Sequence, residues 1–115
     1  MNGEKDMPEH IQVFTTTDTR ESAERIATEL VGKRLAACTQ VMGPLTSSYR
    51  WEGQLERSEE WLCIIKTRMA KYGEVERCIK AVHGYDVPEI LALPVVAGNQ
   101  AYLEWLDQEV GPVTG

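Results

Sequence analysis

The sequence predicts a single α+β domain of order β-α-β-β-α-β, a ferredoxin-like sandwich with a long hairpin between its second and third strands and a short C-terminal helix. Three observations predict it. Two segments ahead of residue 83 carry apolar residues at helical spacing, and four segments carry the β-branched and aromatic runs of strands. The two kinds of segment follow one another in the order that a split βαβ sheet requires, and right-handed crossovers disfavour other arrangements. With 115 residues, 43% of them apolar and 26% charged, the chain has the balance of an ordinary globular domain and the length of one such unit. Residues 1–9 read as a loose tail, 10–110 as the domain and 111–115 as a second tail.

The elements follow in order. His10 to Thr17, HIQVFTTT, reads as the first strand. Asp18 with Glu21 three positions on is an N-cap signature, and Ala23, Ile26, Ala27, Leu30 and Val31 mark one apolar face of the helix behind it. Gly32-Lys33 stops that helix. Leu35 to Val41 reads as a second strand, interrupted by a bend or bulge at Gly43-Pro44 and resumed from Leu45 to Trp51. Glu52-Gly53 is a turn, and after a charged stretch Trp61 to Thr67 reads as the third strand. Tyr72, Val75, Ile79 and Val82 place a second helix near residues 70–82, ended by His83-Gly84. Ile90 to Val96 reads as the fourth strand, where Pro94 marks an edge, a bulge or the strand end. Tyr102, Leu103, Trp105, Leu106 and Val110 suggest the last helix.

Both helices of such a sandwich cover the same sheet face. The third and fourth strands are nonetheless apolar on both sides, and a strand of that kind is expected to be buried on both sides. That pattern predicts oligomerisation, with the hairpin bearing Tyr49, Trp51 and Trp61 as an arm.

Charge and composition exclude several functions. The formal net charge of −6 and the absence of any Lys/Arg run disfavour nucleic acid. Cys38, Cys63 and Cys78 are odd in number and far apart, so neither a disulfide framework nor a CxxC metal or redox motif is present. No apolar run approaches the ~18 residues of a membrane helix, and the polar N-terminus lacks the apolar core of a secretory signal, so the expected location is cytoplasmic. No nucleophile-base arrangement can be assigned.

What remains is polar residues in apolar contexts. His83 ends a helix, where an imidazole commonly caps carbonyls, with a ligand role as the alternative. Lys66 is either a solvated strand end or an anion-binding group. Glu89 is either exposed or paired with Lys66 if their strands are neighbours. Cys38 lies mid-strand, where a buried inert thiol is the common case. Trp51 and Trp105 are more often packing residues than binding-site walls.

Five segments in order resemble the CutA family of divalent-cation tolerance proteins: LVGKRLAAC (Leu30–Cys38), SYRWEG (Ser48–Gly53), IKTR (Ile65–Arg68), VHGYDVPEILALPV (Val82–Val95) and GNQAYLEWL (Gly98–Leu106). The resemblance covers about Ile11 to Val110. It implies a tight homotrimer similar to the nitrogen-regulatory PII proteins, and binding of a divalent metal ion, copper, or a small anionic ligand in clefts between subunits. By position the cleft residues are Trp51, Lys66, Tyr85 and Glu89, with His83 and Cys38 as metal ligands. The chain departs from some bacterial members, which carry a Cys near the end of the first strand and two adjacent His. Thr15 and Val82 stand at those places, which should weaken a copper site. The function expected is therefore a non-catalytic trimer that binds a metal ion or small ligand. The alternatives are an enzyme using His83 or Glu89 as acid or base in the same cleft, and an anchoring trimer without ligand.

Overall fold

A computed structural model describes residues 8–112; residues 1–7 and 113–115, which hold most of the two expected tails, lie outside the described residues. The elements are β1 (His10–Thr17), α1 (Arg20–Gly32), β2 (Cys38–Trp51), β3 (Gln54–Arg68), α2 (Tyr72–Val82), β4 (Leu91–Pro94) and α3 (Gln100–Glu109), with a single 3₁₀ turn at Met69–Lys71. The four strands form one antiparallel sheet in the order β2-β3-β1-β4. That order is the ferredoxin-like arrangement the element sequence predicts.

Side-chain alternation divides the sheet into two faces. Ile11, Val13, Thr15, Cys63, Ile65 and Thr67 are buried on one, against Ala23, Ile26, Ala27 and Leu30 of α1 and Val75 and Ile79 of α2. The other face carries Gln12 and Phe14 of β1, Leu62, Ile64 and Lys66 of β3, Cys38, Gln40 and Met42 of β2, and Leu91 and Leu93 of β4, as the strand register dictates. Among the described residues only its end near His10 is covered, by α3. His10 Nε2 lies 2.8 Å from Asp107 Oδ1, and the Lys66 ammonium sits 6.0 Å from the centre of the Tyr102 ring. Along the rest of this open face Met42, Leu91 and Leu93 remain 54%, 57% and 39% exposed. The strand with the most apolar sequence is thus the most exposed one within a single chain.

Local chemistry explains where the elements begin and end. The N-cap of α1 is Thr19 rather than the expected Asp18. The Thr19 backbone is extended, and its hydroxyl accepts from the Ser22 N–H at 3.1 Å. The α1 stop is completed by Arg34 in the left-handed region, φ 58°. Its guanidinium donates to the last carbonyls of α3, Gln108 and Glu109, at 2.7 and 3.0 Å, and the Gly111 N–H donates back to Arg34 O. The buried Lys71 ammonium donates to Pro112 O and to Glu74, so the chain past α3 is anchored by two cations.

β2 begins at Cys38 rather than Leu35, because Leu35 and Ala36 still close the α1 turn by donating to Leu30 O. The expected interruption at Gly43-Pro44 is a register shift between Met42 and Leu45 inside one continuous strand. Gly43 is required there: a Cβ would stand 2.6 Å from Cδ1 of Trp61. β3 starts at Gln54, seven residues before the expected Trp61. The charged stretch is itself strand, held by the ladder to β2 from Trp51↔Gln54 to Leu45↔Glu60. At the hairpin tip Glu52 and Gly53 both have positive φ, 49° and 79°, as a two-residue type I′ turn needs. β4 is shorter than the expected Ile90 to Val96, and Pro94 is the last residue of this edge strand.

Candidate functional site

At the end of the sheet away from α3, the hairpin arm and the loop after α2 enclose an open cleft of about 650 Å³. Its lining includes Thr16 of β1, Ser47 to Tyr49 and Trp51 of β2, Glu60 of β3, and Tyr85, Asp86 and Glu89 of the loop. Glu60 lies here because strand parity puts it on the same side as Leu62 and Ile64, while the β2 bulge opposite brings Leu45 against it.

His83 sets the loop. Its backbone N–H closes α2 by donating to Ile79 O at 2.9 Å. The ring Nδ1 accepts the Tyr85 N–H at 3.1 Å, so the proton of the neutral ring sits on Nε2, which donates to Thr16 O at 2.8 Å. The imidazole therefore ties the end of α2 to the end of β1 and packs 4.9 Å from the Tyr85 ring. Neither nitrogen is left with a free lone pair. Held in this way, Tyr85 directs its hydroxyl to Glu60, donating to Oε2 at 2.7 Å. Burial, then this hydrogen bond, then the charges of Glu60 and Asp18 push the Tyr85 phenol well above its ordinary range. It stays a neutral donor.

The electrostatics of the cleft are one-sided. Glu60, Asp86 and Glu89 line it, and among the described residues no Lys, Arg or His does. Glu60 is 7% exposed and among the described residues has no cation within ion-pair distance, whereas Asp86 and Glu89 are exposed.

The structure brings three of the expected cleft residues together, Trp51, Tyr85 and Glu89, with His83 behind them. Lys66 and Cys38 lie elsewhere. They pair with each other in register at the level of Gln12, four residues along β1 from Thr16 and so about 13 Å away. Glu89 cannot pair with Lys66 as one alternative required, because β1 separates β3 from β4. Sequence reasoning missed Glu60, which sits in the charged run Glu56 to Glu60. The signal that could have found it is its spacing of two and four residues before Leu62 and Ile64.

Within one chain His83 and Cys38 do not come together as a copper site. One is saturated by backbone groups and the other is at the far end of the sheet. Among the described residues, no three His, Cys, Asp or Glu side chains are placed to hold a metal ion. Thr15 is wholly buried opposite Cys63 and its hydroxyl has no hydrogen-bond partner. Burial pushes the Cys63 thiol up to about 12, so it stays protonated and unreactive. An orphaned buried hydroxyl costs about 1–3 kcal/mol, and valine fills nearly the same shape. Thr15→Val is therefore expected to stabilise the fold by about 1 kcal/mol, read as a raised urea midpoint at unchanged slope.

Residues 11–109 match the model of the family described as CutA1 divalent ion tolerance protein. The chain belongs to this family. It is 42% identical over 99 residues to the divalent-cation tolerance protein CutA of Thermus thermophilus, covering 86% of this chain and 96% of that one. It is 42% identical over 96 residues to the chloroplastic protein CutA 1 of Oryza sativa, of which it spans 54%. The crystal structure of a CutA1 described as stable, from a psychrotrophic Shewanella, superposes with a TM-score of 0.89 at 35% identity, covering 91% of this chain and 98% of that one. The five segments that carried the resemblance all fall within the matched span.

Proposed function

We propose that this CutA1 chain acts as a cytoplasmic homotrimer without catalytic turnover, binding a divalent cation through carboxylate oxygens in clefts at the subunit boundaries. The observation that carries the reading is the cleft itself: among the described residues it is lined by three carboxylates and no cation, and it lies at the end of the sheet face that α3 leaves open. A field of that sign attracts cations and repels the small anion that was the other expected ligand. Oxygen donors suit ions harder than copper. Among the described residues no three His, Cys, Asp or Glu side chains converge, so other oxygens, water or a neighbouring copy supply the remaining donors. The saturated His83 ring supports a non-catalytic role, since a general acid or base needs a free nitrogen. Three free thiols suit a reducing compartment.

Calorimetric titration with Mn(II) and with Cu(II) tests this. Glu60→Gln, which keeps an acceptor for Tyr85, is expected to weaken Mn(II) binding by roughly tenfold, the effect of one charged contact. Cys38→Ala is expected to leave both affinities unchanged. Wild-type affinity in Glu60→Gln, or loss of Cu(II) binding in Cys38→Ala, contradicts the proposal.

A further inference from the structure

We propose that Tyr85 is the positioning residue of the cation site: its hydroxyl fixes the Glu60 carboxylate, and His83 in turn fixes Tyr85. The inference rests on the divalent-cation reading above and adds how the chain prepares that site.

The contacts run in series from the end of β1 to the cleft. His83 Nε2 donates to Thr16 O at 2.8 Å, the Tyr85 N–H donates to His83 Nδ1 at 3.1 Å, and the Tyr85 hydroxyl donates to Glu60 Oε2 at 2.7 Å. The His83 backbone adds a further point by closing α2 on Ile79 O. Thus β1 holds the imidazole and α2 holds its backbone. The imidazole holds the Tyr85 backbone and packs 4.9 Å from its ring. The phenol then reaches Glu60, 25 positions away in the sequence. Each of these contacts is made within one chain, so the series does not depend on what a neighbouring copy brings to the cleft.

A tether of this kind suits Glu60. A glutamate side chain is rich in rotamers, and ordering it when a ligand arrives costs affinity. A tyrosine loses little on ordering, and here its ring is already held. The phenol therefore orders Glu60 before a cation enters. The kind of donor matters as well. An ammonium or guanidinium in the same place would neutralise the carboxylate and compete with a bound cation. The phenol is neutral. Burial, followed by the hydrogen bond and charge of Glu60, pushes it well above its ordinary range, so it holds Glu60 without removing the negative charge. Its hydrogen bond occupies one of the roughly four lone-pair sites of a carboxylate, which leaves sites for a cation. Groups that stand one bond behind a metal ligand set affinity by orienting it.

A double-mutant cycle on the full-length protein tests this, with Mn(II) affinity measured by calorimetry and the fold checked by circular dichroism. Tyr85→Phe removes the hydroxyl and keeps the ring. It is expected to weaken Mn(II) binding roughly tenfold. In the Glu60→Gln background the same change is expected to cost no more than about twofold, because the group it positions has already lost its charge. A hydroxyl that served only the shape of the loop would cost the same factor in both backgrounds, and that result overturns the inference. His83→Ala is the second variant: the tyrosine keeps its hydroxyl and loses its anchor. Its loss of affinity is likewise expected with Glu60 present and not with Gln at that position. Wild-type affinity in Tyr85→Phe, with Glu60→Gln weakened, overturns the positioning role and leaves the divalent-cation proposal standing. Wild-type affinity in Glu60→Gln overturns both.

Discussion

Ile65→Ala is expected to destabilise the fold by about 2–5 kcal/mol, the largest effect of any single truncation considered. Ile65 is wholly buried in the C-terminal part of β3, with Val13 of β1 beside it on one side and Thr39 of β2 on the other. It belongs to the cluster that α1 and α2 form over the sheet. Removing its branched end forfeits the transfer energy of the lost carbons. It also leaves a cavity, because a strand paired on both edges cannot move inward to fill it. Urea unfolding at a fixed chain concentration measures the change, since any assembly makes stability depend on concentration. A loss below about 1 kcal/mol would mean that the core closes around the gap and that its packing is looser than described.

The second large effect concerns the open face. Leu91→Asp combined with Leu93→Asp is expected to convert the proposed trimer into single chains. Both leucines are exposed within one chain, and β4 is held to β1 through its backbone ladder, so a lone chain tolerates the change. An interface does not. Each aspartate brought into an apolar contact loses its hydration and gains no partner, which costs several kcal/mol per group. Circular dichroism should remain that of the wild type while the mass by light scattering falls. Retention of the wild-type mass would remove β4 from the interface.

Much of the fold is legible because its signals are local. β1 is recoverable to the residue from one run of β-branched and aromatic side chains between a polar tail and a helix start. The α1 cap was displaced by one residue because Asp18 and Thr19 are both competent caps, and only backbone geometry selects the hydroxyl that reaches Ser22. The first seven residues of β3 carried no strand signal. An arm of two strands in solvent is held by backbone pairing and has no buried side to impose alternation. β4 gave the opposite outcome. Its sequence asks for burial on both faces while the single chain leaves it exposed, a mismatch that the proposed trimer would remove.

The site was legible only in part. The loop from His83 to Glu89 was singled out together with Trp51, and Trp51, Tyr85 and Glu89 line one cleft. Within one chain Lys66 and Cys38 stand apart from that loop, and the sequence did not show it because a position along a strand is invisible until register is known, and four residues of register amount to about 13 Å. His83 looked free because its partners are backbone groups of Thr16 and Tyr85, one of them 67 positions distant. Glu60 looked solvated because its neighbours are charged.

The proposed trimer sets a further copy of the chain against the exposed apolar face and against the half-built cleft at its end. The mass of the wild-type protein in solution, measured by light scattering coupled to size exclusion over a range of dilutions, tests it most directly. A value three times the chain mass, maintained on dilution, is the expected result. A single-chain mass would leave Leu91, Leu93 and Met42 in water and contradict it.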